Sequence, residues 1–336
     1  MIKSNKFFIN KLDTVIFIGE NRNLEKLINI NKKIGLKTFV ITSSHQSKLI
    51  NKKIKFKIFD KIDANFSKYI KKICNPSKTL FISIGSRIIF KNIHIKNIFS
   101  NNIVNYHNSR LPYDSGGGDF TWRILREDRI DTQTIHLLSE GIDEGPIIIR
   151  ESKLFPSYCK LPIDFDKESS NNLIFFYEKF LNSILKTKKF NLFFQIKNIG
   201  RYNPRVSTKI NGFIDWSMSA HEIFNFINAF GDPFEGASTF LDRGKYGILR
   251  LKNVHLHGGD SSNHPFMSGI VNRHDDKWLV VSTNSKYMLL VEEVLDAKGK
   301  NIISKIMRGD RFFVPLKYLI LAKKKRVLFS SKGLQK

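Results

Sequence analysis

The sequence predicts an α/β protein, with a doubly wound, mostly parallel sheet followed by a smaller β-barrel domain. Short apolar runs alternate with helix-like segments over the first third of the 336 residues. A long amphipathic stretch follows, and the last third breaks into short strand-like runs separated by turn residues. With 41% hydrophobic residues the chain can build real cores, which excludes wholesale disorder.

The predicted sheet starts at "TVIFIG" (14–19), a β-branched apolar run closed by a glycine and typical of a buried parallel strand. Four more strands are predicted, in "KTFVIT" (37–42), "KFKIFD" (55–60), "KTLFISIG" (78–85) and "NIVNYHNS" (102–109). Helical spacing of apolar residues predicts helices in "NLEKLININKKIG" (23–35) and "FSKYIKKIC" (66–74). Because strands and helices alternate, we expect helices on both faces and ligands at the carboxyl ends of the strands.

The second half divides into a helix, a linker and a barrel. A Leu/Phe-rich amphipathic helix is predicted at 171–190, and polar, turn-rich residues 198–211 read as a linker. A short helix capped by Ser219 follows, and then strands in "GASTFL", "YGILRLKNV", "SGIVNRH", "KWLVVST" and "YMLLVEEVL". The expected units are a first domain at 1–197, a linker at 198–211, a barrel at 212–325 and a basic tail at 326–336.

The net charge of +26 has two interpretations. It reflects either lysines spread over solvated faces by compositional drift or a surface that meets a polyanion such as nucleic acid. Cys74 and Cys159 fit neither a disulfide framework nor a metal site, which is typical of a reducing compartment. The sequence contains no apolar run of roughly 18 residues and no convincing signal peptide, so we expect a cytoplasmic protein without a membrane span.

An asparagine and a histidine emerge together where the fifth predicted strand ends. Residues two apart in a strand face the same side, so Asn105 and His107 should point to the sheet edge that binds ligands. Downstream, "SEGIDEG" places Asp143 in a glycine-bounded loop between two apolar strands, where a carboxylate can orient an imidazole and a water. Structural roles are the alternative: a polar pair that satisfies loop backbone groups, and an aspartate that caps its own turn.

Taken together, "NYHNSRLP" and "DEG" resemble the two motifs of the folate-dependent formyltransferase family. That family includes the glycinamide ribonucleotide, methionyl-tRNA and sugar-nucleotide enzymes. Similarity extends over about 78–320, because "GFIDWSMSAHEIFNFINAFGDPFEGASTFL" and the later strands resemble the carboxyl-terminal domain of the methionyl-tRNA and aminoarabinose enzymes. The resemblance implies a Rossmann-like catalytic domain with a small OB-like barrel behind it.

The resemblance also implies catalytic roles and a co-substrate. Asn105 would polarise the formyl carbonyl of 10-formyltetrahydrofolate and stabilise its oxyanion, and His107 would act as general acid/base. Asp143 would tune His107 and position a water, and no metal would be needed. The segments expected to bind the folate are Ser86, Arg87, Ile88 and Ile89; Ser109, Arg110, Leu111 and Pro112; and Ser139, Glu140, Gly141 and Ile142.

The resemblance fails after the Leu-Pro step, where the methionyl-tRNA and aminoarabinose enzymes usually have an arginine and a glycine. This chain has "YDSGGGDFTW" there. Gly116, Gly117 and Gly118 can present backbone N–H groups to an anion or serve as a hinge, and Trp122 can stack on a flat group or anchor its helix in the core. We therefore expect these four residues beside the acceptor.

Three functions are compatible with the sequence. The first is formylation of a nucleotide-linked amino sugar, which the altered loop favours. The second is formylation of initiator methionyl-tRNA, supported by the basic linker, the barrel and the net charge. The third is a non-catalytic nucleic-acid binder on the same scaffold, and Asn105, His107 and Asp143 argue against it. A homodimer is compatible with each of them.

Overall fold

The computed structural model describes residues 6–7, 11–117, 119–186, 190–196, 199–243, 246–258, 262–330 and 332–334. The first domain contains the following helices and strands: β1 (Lys6–Phe7), β2 (Thr14–Gly19), α1 (Leu24–Lys33), β3 (Lys37–Thr42), β4 (Lys57–Ile58), α2 (Ala64–Ile73), β5 (Thr79–Ile84), α3 (Asn92–Asn97), β6 (Ile103–His107), β7 (Asp114–Gly116), α4 (Asp119–Leu125), β8 (Ile130–Leu137), β9 (Ile147–Leu154), α5 (Pro162–Lys186) and β10 (Phe190–Asn191).

Seven of these strands form the central sheet, in the order β4-β3-β2-β5-β6-β8-β9. Strands β4 to β6 of that order are parallel, and β8 and β9 extend the sheet antiparallel. The chain leaves β2 toward β3 and β4 and then returns to build β5 and β6 on the other side. The predicted doubly wound, mostly parallel sheet is confirmed, and its strand order reverses between β2 and β5.

Each face of the sheet is covered by its own hydrophobic core, as alternation along β2 requires. Val15 and Phe17 belong to the core that also contains α1 and α5. Ile16 and Ile18 belong to the core on the opposite face, with Phe66 of α2 and α3 nearby. This two-sided burial explains why β2 reads as a continuous apolar run rather than an alternating one.

Helix α5 begins nine residues earlier than predicted. The sequence analysis started it at 171, whereas the structure starts it at Pro162, a residue suited to the first turn. Asp164 Oδ2 accepts hydrogen bonds from the backbone N–H groups of Lys160 and Leu161, both at 3.0 Å. Residues 164–172 are mostly polar, so the sequence shows no clear apolar periodicity at the start of the helix. The helix is described to Lys186, and the predicted end at 190 falls on residues that form β10.

The remaining elements belong to the linker, the barrel and the tail: β11 (Arg201–Asn203), α6 (Thr208–Asn211), α7 (Ala220–Ala229), β12 (Ala237–Leu241), β13 (Leu249–Gly258), β14 (Val271–His274), β15 (Leu279–Val281), β16 (Tyr287–Leu295), β17 (Phe312–Phe313), α8 (Leu316–Lys324), β18 (Phe329–Ser330) and β19 (Gly333–Leu334). Short 3-10 turns lie at Gln46–Leu49, Pro76–Lys78, Pro265–Met267 and Ile303–Lys305. The predicted Ser219 cap is confirmed, because its hydroxyl and Glu222 form a capping box.

The second domain is a curled antiparallel sheet, in the order β14-β15-β16-β13-β12-β17. Its two edges meet, because Ile270 beside β14 and Arg311 beside β17 form an antiparallel bridge. The hydrogen bonds from Val271 N to Asp310 O (2.9 Å) and from Phe312 N to Gly269 O (2.8 Å) continue this closure. The sheet therefore curls into the predicted small barrel around a core that includes Trp216.

The linker is bound to the first domain. Strand β11 pairs parallel with β7, and Arg201 Nε lies 3.1 Å from Asp114 Oδ1. Trp122 of α4 donates its indole N–H to the Pro204 carbonyl at 2.7 Å. These contacts hold residues 201–204 against the loop that follows β6. Among the helices of the described chain, none combines the length and apolar character needed to cross a membrane.

Candidate active site

Asn105 and His107 lie at the carboxyl end of β6, as predicted. The strand is flanked by β5 on one side and β8 on the other, so its end is fixed from both directions. Tyr106, between them, points to the other side and donates its hydroxyl to Gln133. The His107 side chain is 14% exposed. A strand end held between two neighbours is a rigid platform for a catalytic side chain.

Asp143 lies beside His107, which brings the three predicted catalytic residues together. Its Oδ2 is 3.6 Å from His107 Nε2 and accepts a hydrogen bond from the Gly116 N–H at 3.1 Å. Asp143 adopts a left-handed conformation with φ of 57°. Gln195 Nε2 donates to the carbonyl oxygens of Asp143 (2.8 Å) and Gly145 (2.6 Å), which holds the loop. The carboxylate is thus pre-positioned against the imidazole.

A second histidine, His136 of β8, belongs to the same cluster and was missed by the sequence analysis. It is directly opposite Asn105 in the antiparallel pair β6–β8. Its Nδ1 is 2.9 Å from the Leu137 carbonyl, and because a carbonyl only accepts, Nδ1 carries the proton. Nε2 therefore accepts a hydrogen bond from Asn105 Nδ2, at 3.2 Å.

Burial keeps His136 neutral. Its desolvation lowers the pKa of the imidazole to about 4, although Asp143, with Oδ1 3.8 Å from Nε2, acts in the opposite direction. A neutral Nε2 is what Asn105 needs as an acceptor, because an imidazolium would donate there instead. The available sequence signal was a polar residue within the apolar strand "TIHLL".

Two cavities meet at these residues. The larger, of about 630 Å³, is lined by polar and charged groups that include Ser86, His107 and Arg205. The smaller, of about 170 Å³, is lined by apolar and polar groups from the segments after β5 and β8. Asn105, Ile142 and Asp143 line both. The cluster therefore stands at the boundary between the two cavities.

Two of the three segments predicted to bind the folate line these cavities. Ile88 and Ile89 lie on the smaller cavity, and so does the whole loop Ser139–Ile142. Ile89 and Ile142 are 80% and 68% exposed, so both present apolar surface that a ligand can contact. Ser86 lines the larger cavity, and its hydroxyl accepts a hydrogen bond from Ile88 N at 3.2 Å.

Arg87 is turned inward from this segment. Its own burial lowers the pKa of the guanidinium, nearby Arg205 lowers it further, and Glu20 acts in the opposite direction. Its neighbourhood therefore includes a second arginine that lines the larger cavity.

The third predicted folate segment, Ser109–Pro112, supports the fold around Asp114. Ser109 and Leu111 are buried, and Arg110 lies 3.4 Å from both Asp114 and Asp128. None of the four lines either cavity that meets at Asn105. Their contact with a folate stays a prediction.

The glycines that follow Pro112 have structural roles that the sequence analysis did not predict. Gly116 donates its N–H to Asp143, and Gly117 donates its N–H to the Asn203 carbonyl at 2.8 Å. Both line the larger cavity, but neither amide is available to an anion, so that expectation is wrong for these two. Gly118 lies outside the described residues. Trp122 does not line the cavity; its indole holds the linker instead.

Comparisons with known proteins agree with this architecture. Residues 207–311 match the family model described as formyl transferase, C-terminal domain. A methionyl-tRNA formyltransferase of Borreliella afzelii is 29% identical over 254 residues, which cover 72% of this chain and 76% of the relative. A methionyl-tRNA formyltransferase of Syntrophus aciditrophicus is 26% identical over 210 residues, which cover 62% and 64%. The chain thus spans just under two thirds of the second relative's length.

A solved structure shows the same fold over nearly its whole length. It is an N-formyltransferase from Helicobacter canadensis in complex with folinic acid and dTDP-3-aminofucose. Its TM-score is 0.63 at 15% identity, and the match covers 84% of this chain and 99% of that one. In its carboxyl-terminal domain, its sequence relatives and its two-domain fold, this chain is similar to the formyltransferases.

Proposed function

We propose that this protein transfers a formyl group from 10-formyltetrahydrofolate to a primary amine. The observation that carries the proposal is the meeting of two cavities at Asn105 and Asp143. A transfer reaction needs a donor and an acceptor on either side of one set of catalytic groups. The smaller cavity, with Ile88, Ile89 and Leu138 on its wall, suits a flat donor ring, and the larger one, whose wall includes Arg205, suits a bulkier anionic acceptor.

The smaller cavity has the composition that a pterin ring requires. A pterin is flat and heteroaromatic, with hydrogen-bonding atoms along its edge. Ile88, Ile89 and Leu138 offer apolar surface, whereas Ser139–Ile142 pass the cavity as a loop rich in backbone polar groups. Asn92 Nδ2 donates to Glu140 Oε2 at 2.7 Å and so ties that loop to α3. When bound, the folate would supply the activated one-carbon group.

The catalytic cluster can manage the charges that develop during transfer. An amine that attacks a formyl carbon generates negative charge on oxygen and positive charge on nitrogen. Asn105 Nδ2 has one hydrogen engaged by His136 and a second for the carbonyl oxygen. His107 Nε2 takes the proton from the attacking amine and returns it to the nitrogen that leaves. Asp143, 3.6 Å away, orients the imidazole.

A nucleotide-linked amino sugar is the acceptor that we favour. The loop after Leu111–Pro112 departs from the arginine-glycine pattern expected of the methionyl-tRNA and aminoarabinose enzymes, which favours a different amino sugar, and Gly116 and Gly117 of that loop line the larger cavity. The Helicobacter canadensis enzyme with the same fold was solved with such a compound. That cavity is bounded on several sides, which suits a small molecule.

Initiator methionyl-tRNA is the alternative acceptor. The relatives from Borreliella afzelii and Syntrophus aciditrophicus carry that name, and the net charge of +26 suits a polyanion. Affinity for tRNA would then fall steeply with salt, because bound phosphates release counterions. Turnover of 10-formyltetrahydrofolate with charged initiator tRNA, and separately with a panel of amino-sugar nucleotides, decides between the two acceptors.

Substitution of the two strand-end residues tests formyl transfer itself. We expect Asn105→Ala and His107→Ala to lower kcat by about 100-fold or more, because each removes a group that acts on the developing charges. Both residues end a strand, so thermal unfolding should change little. His274→Ala, in an exposed position of β14, is the matched control and should retain full activity. Wild-type turnover by either purified active-site variant would refute the proposal.

A further inference from the structure

The chain beyond α8 returns to the active-site cavity. Arg326, Val327 and Leu328 line the larger cavity together with Tyr202, Pro204 and Arg205 of the linker. Val327 is only 5% exposed, although it follows the last helix of the barrel domain. A buried valine in such a segment indicates that the segment is packed rather than trailing in solvent.

The start of this segment is fixed by contacts of α8 with the end of the linker and the first residues of the barrel domain. Tyr318 of α8 stacks on Phe213, with ring centroids 4.9 Å apart. Asn211 Nδ2 donates to the Ala322 carbonyl at 2.8 Å, and Lys323 lies 3.5 Å from Asp215. After the segment, β18 and β19 pair antiparallel. Residues 325–328 thus connect an anchored helix to a hairpin, and 326–328 line the cavity on the way.

The charged groups that line the larger cavity are mostly basic. Of the described residues that line it, Arg205 and Arg326 carry permanent positive charge, and Asp143 is the one acidic group. Arg205 packs across Gly117, since a Cβ on that glycine would lie 2.6 Å from Arg205 Cγ. A guanidinium from the linker and one from the tail therefore face the same chamber. Paired guanidinium groups of this kind bind phosphate through charge-assisted hydrogen bonds.

We propose that the segment 326–328 is a wall of the acceptor site and that Arg326, with Arg205, binds a phosphate or diphosphate group of the acceptor. The inference rests on the proposed function for assigning the larger cavity to the acceptor. The amine would then lie at Asn105 and His107 while the anionic end lies against the tail. Acceptor recognition would depend on residues from three parts of the chain: the catalytic strand, the linker and the carboxyl-terminal segment.

Titration calorimetry with inorganic pyrophosphate tests the anion site directly. We expect Arg326→Gln and Arg205→Gln each to weaken binding by about tenfold, the loss expected for one charge-assisted hydrogen bond. Lys325→Gln removes the same charge from the adjacent, exposed position and should bind as the wild type does. Failure of pyrophosphate to bind the wild type, or wild-type affinity in Arg326→Gln, overturns the proposal.

Two further titrations identify the source of the phosphate and separate this inference from the proposed function. Thymidine diphosphate and initiator tRNA are compared on wild type and Arg326→Gln, and a selective loss for either one supports the site and names its source. If the wild type and Arg326→Gln bind thymidine diphosphate with equal affinity and also bind tRNA with equal affinity, the proposed anion site is wrong. Tetrahydrofolate binding, followed by fluorescence, should be unchanged in Arg326→Gln. A wild type that binds pyrophosphate but no folate refutes the formyl transfer and leaves the anion site standing.

Discussion

Asn105, which we propose is catalytic, is held by a histidine that the motif does not contain. His136 reaches Asn105 across the β6–β8 pair and accepts one of its two amide hydrogens. Since the Leu137 carbonyl fixes the His136 tautomer, it also fixes which end of the Asn105 amide points toward the histidine. The orientation of the amide is therefore set by a neutral, buried imidazole.

At the level of residues, the candidates that follow from spacing along the chain could be predicted from the sequence. The contacts that depend on the register between strands could not. Asn105 and His107 were found because residues two apart in a strand share a side, and Asp143 because glycines flank it. His136 lies 31 positions from Asn105, and only antiparallel pairing of β8 on β6 brings them together. The amides of Gly116 and Gly117 were misjudged for the same reason, since Asp143 and Asn203 are distant in sequence.

The buried imidazole should make stability depend on pH. With a folded-state pKa of about 4 against an ordinary value of 6.5, the folded protein binds fewer protons than the unfolded chain between these values. As the pH falls from 6.5 to 4, the free energy of unfolding should drop by about 3 kcal/mol because of this group. Denaturant titrations of His136→Gln, which has no charge to gain, should show a correspondingly flatter pH profile.

The exposed His274 provides the control, because His274→Gln should leave the wild-type pH profile unchanged. His136→Gln should also lower kcat at neutral pH more than it raises KM, since it disturbs the amide that acts on the transition state. If the stability of His136→Gln depended on pH as steeply as that of the wild type, His136 would not be the buried neutral imidazole that causes the dependence.

At the level of elements, the regular parts of the chain were predicted well and the short pairings were not. Strands 14–19 and 37–42 were placed with their observed bounds because their apolar runs are continuous and closed by turns. The predicted strand 55–60 shrinks to Lys57–Ile58, an exposed edge of the sheet. Strands β7 and β11 have three residues each and no alternation of apolar residues, so only the tertiary structure reveals that they pair.

The β7–β11 pairing depends on a glycine. Gly116 has φ of 95°, and a Cβ there would collide with the Asn203 carbonyl of β11. Gly116→Ala should therefore loosen the linker and displace the N–H that holds Asp143, and we expect a loss of about 2 kcal/mol of stability with a marked fall in kcat. Thermal unfolding and formyl-transfer assays measure the two effects.

Gly309 is the matched control for backbone conformation. It also has φ of 95°, but no heavy atom lies within 4 Å of the position that its Cβ would take. Gly309→Ala should cost about 1 kcal/mol from backbone strain alone and leave kcat unchanged. If the two variants behave alike, the pairing of β7 with β11 does not position Asp143.

At the level of the whole molecule, the two domains share a hydrophobic cluster. Ala229 at the end of α7 packs with Ile124, Phe155, Cys159 and Phe165 of the first domain and is fully buried. Thr121 Oγ1 donates to the Ala229 carbonyl at 3.3 Å, and Asn225 Nδ2 donates to Glu127 Oε1 at 2.7 Å. Together with β11 and the tail, this cluster joins the barrel to the domain that carries the catalytic groups.

Because the cluster is shared, we expect the two domains to unfold in one calorimetric transition. Ala229→Glu would bury an unpaired carboxylate at the junction, and we expect it to cost about 3–5 kcal/mol and to separate the domains into two transitions. Ala297→Glu makes the same change at an exposed turn of the barrel and should leave a single transition. Two transitions already in the wild type would mean that the domains are thermodynamically independent. In that case only the contacts of the tail itself would hold it against the larger cavity. A single transition would instead show that the tail and β6 unfold together.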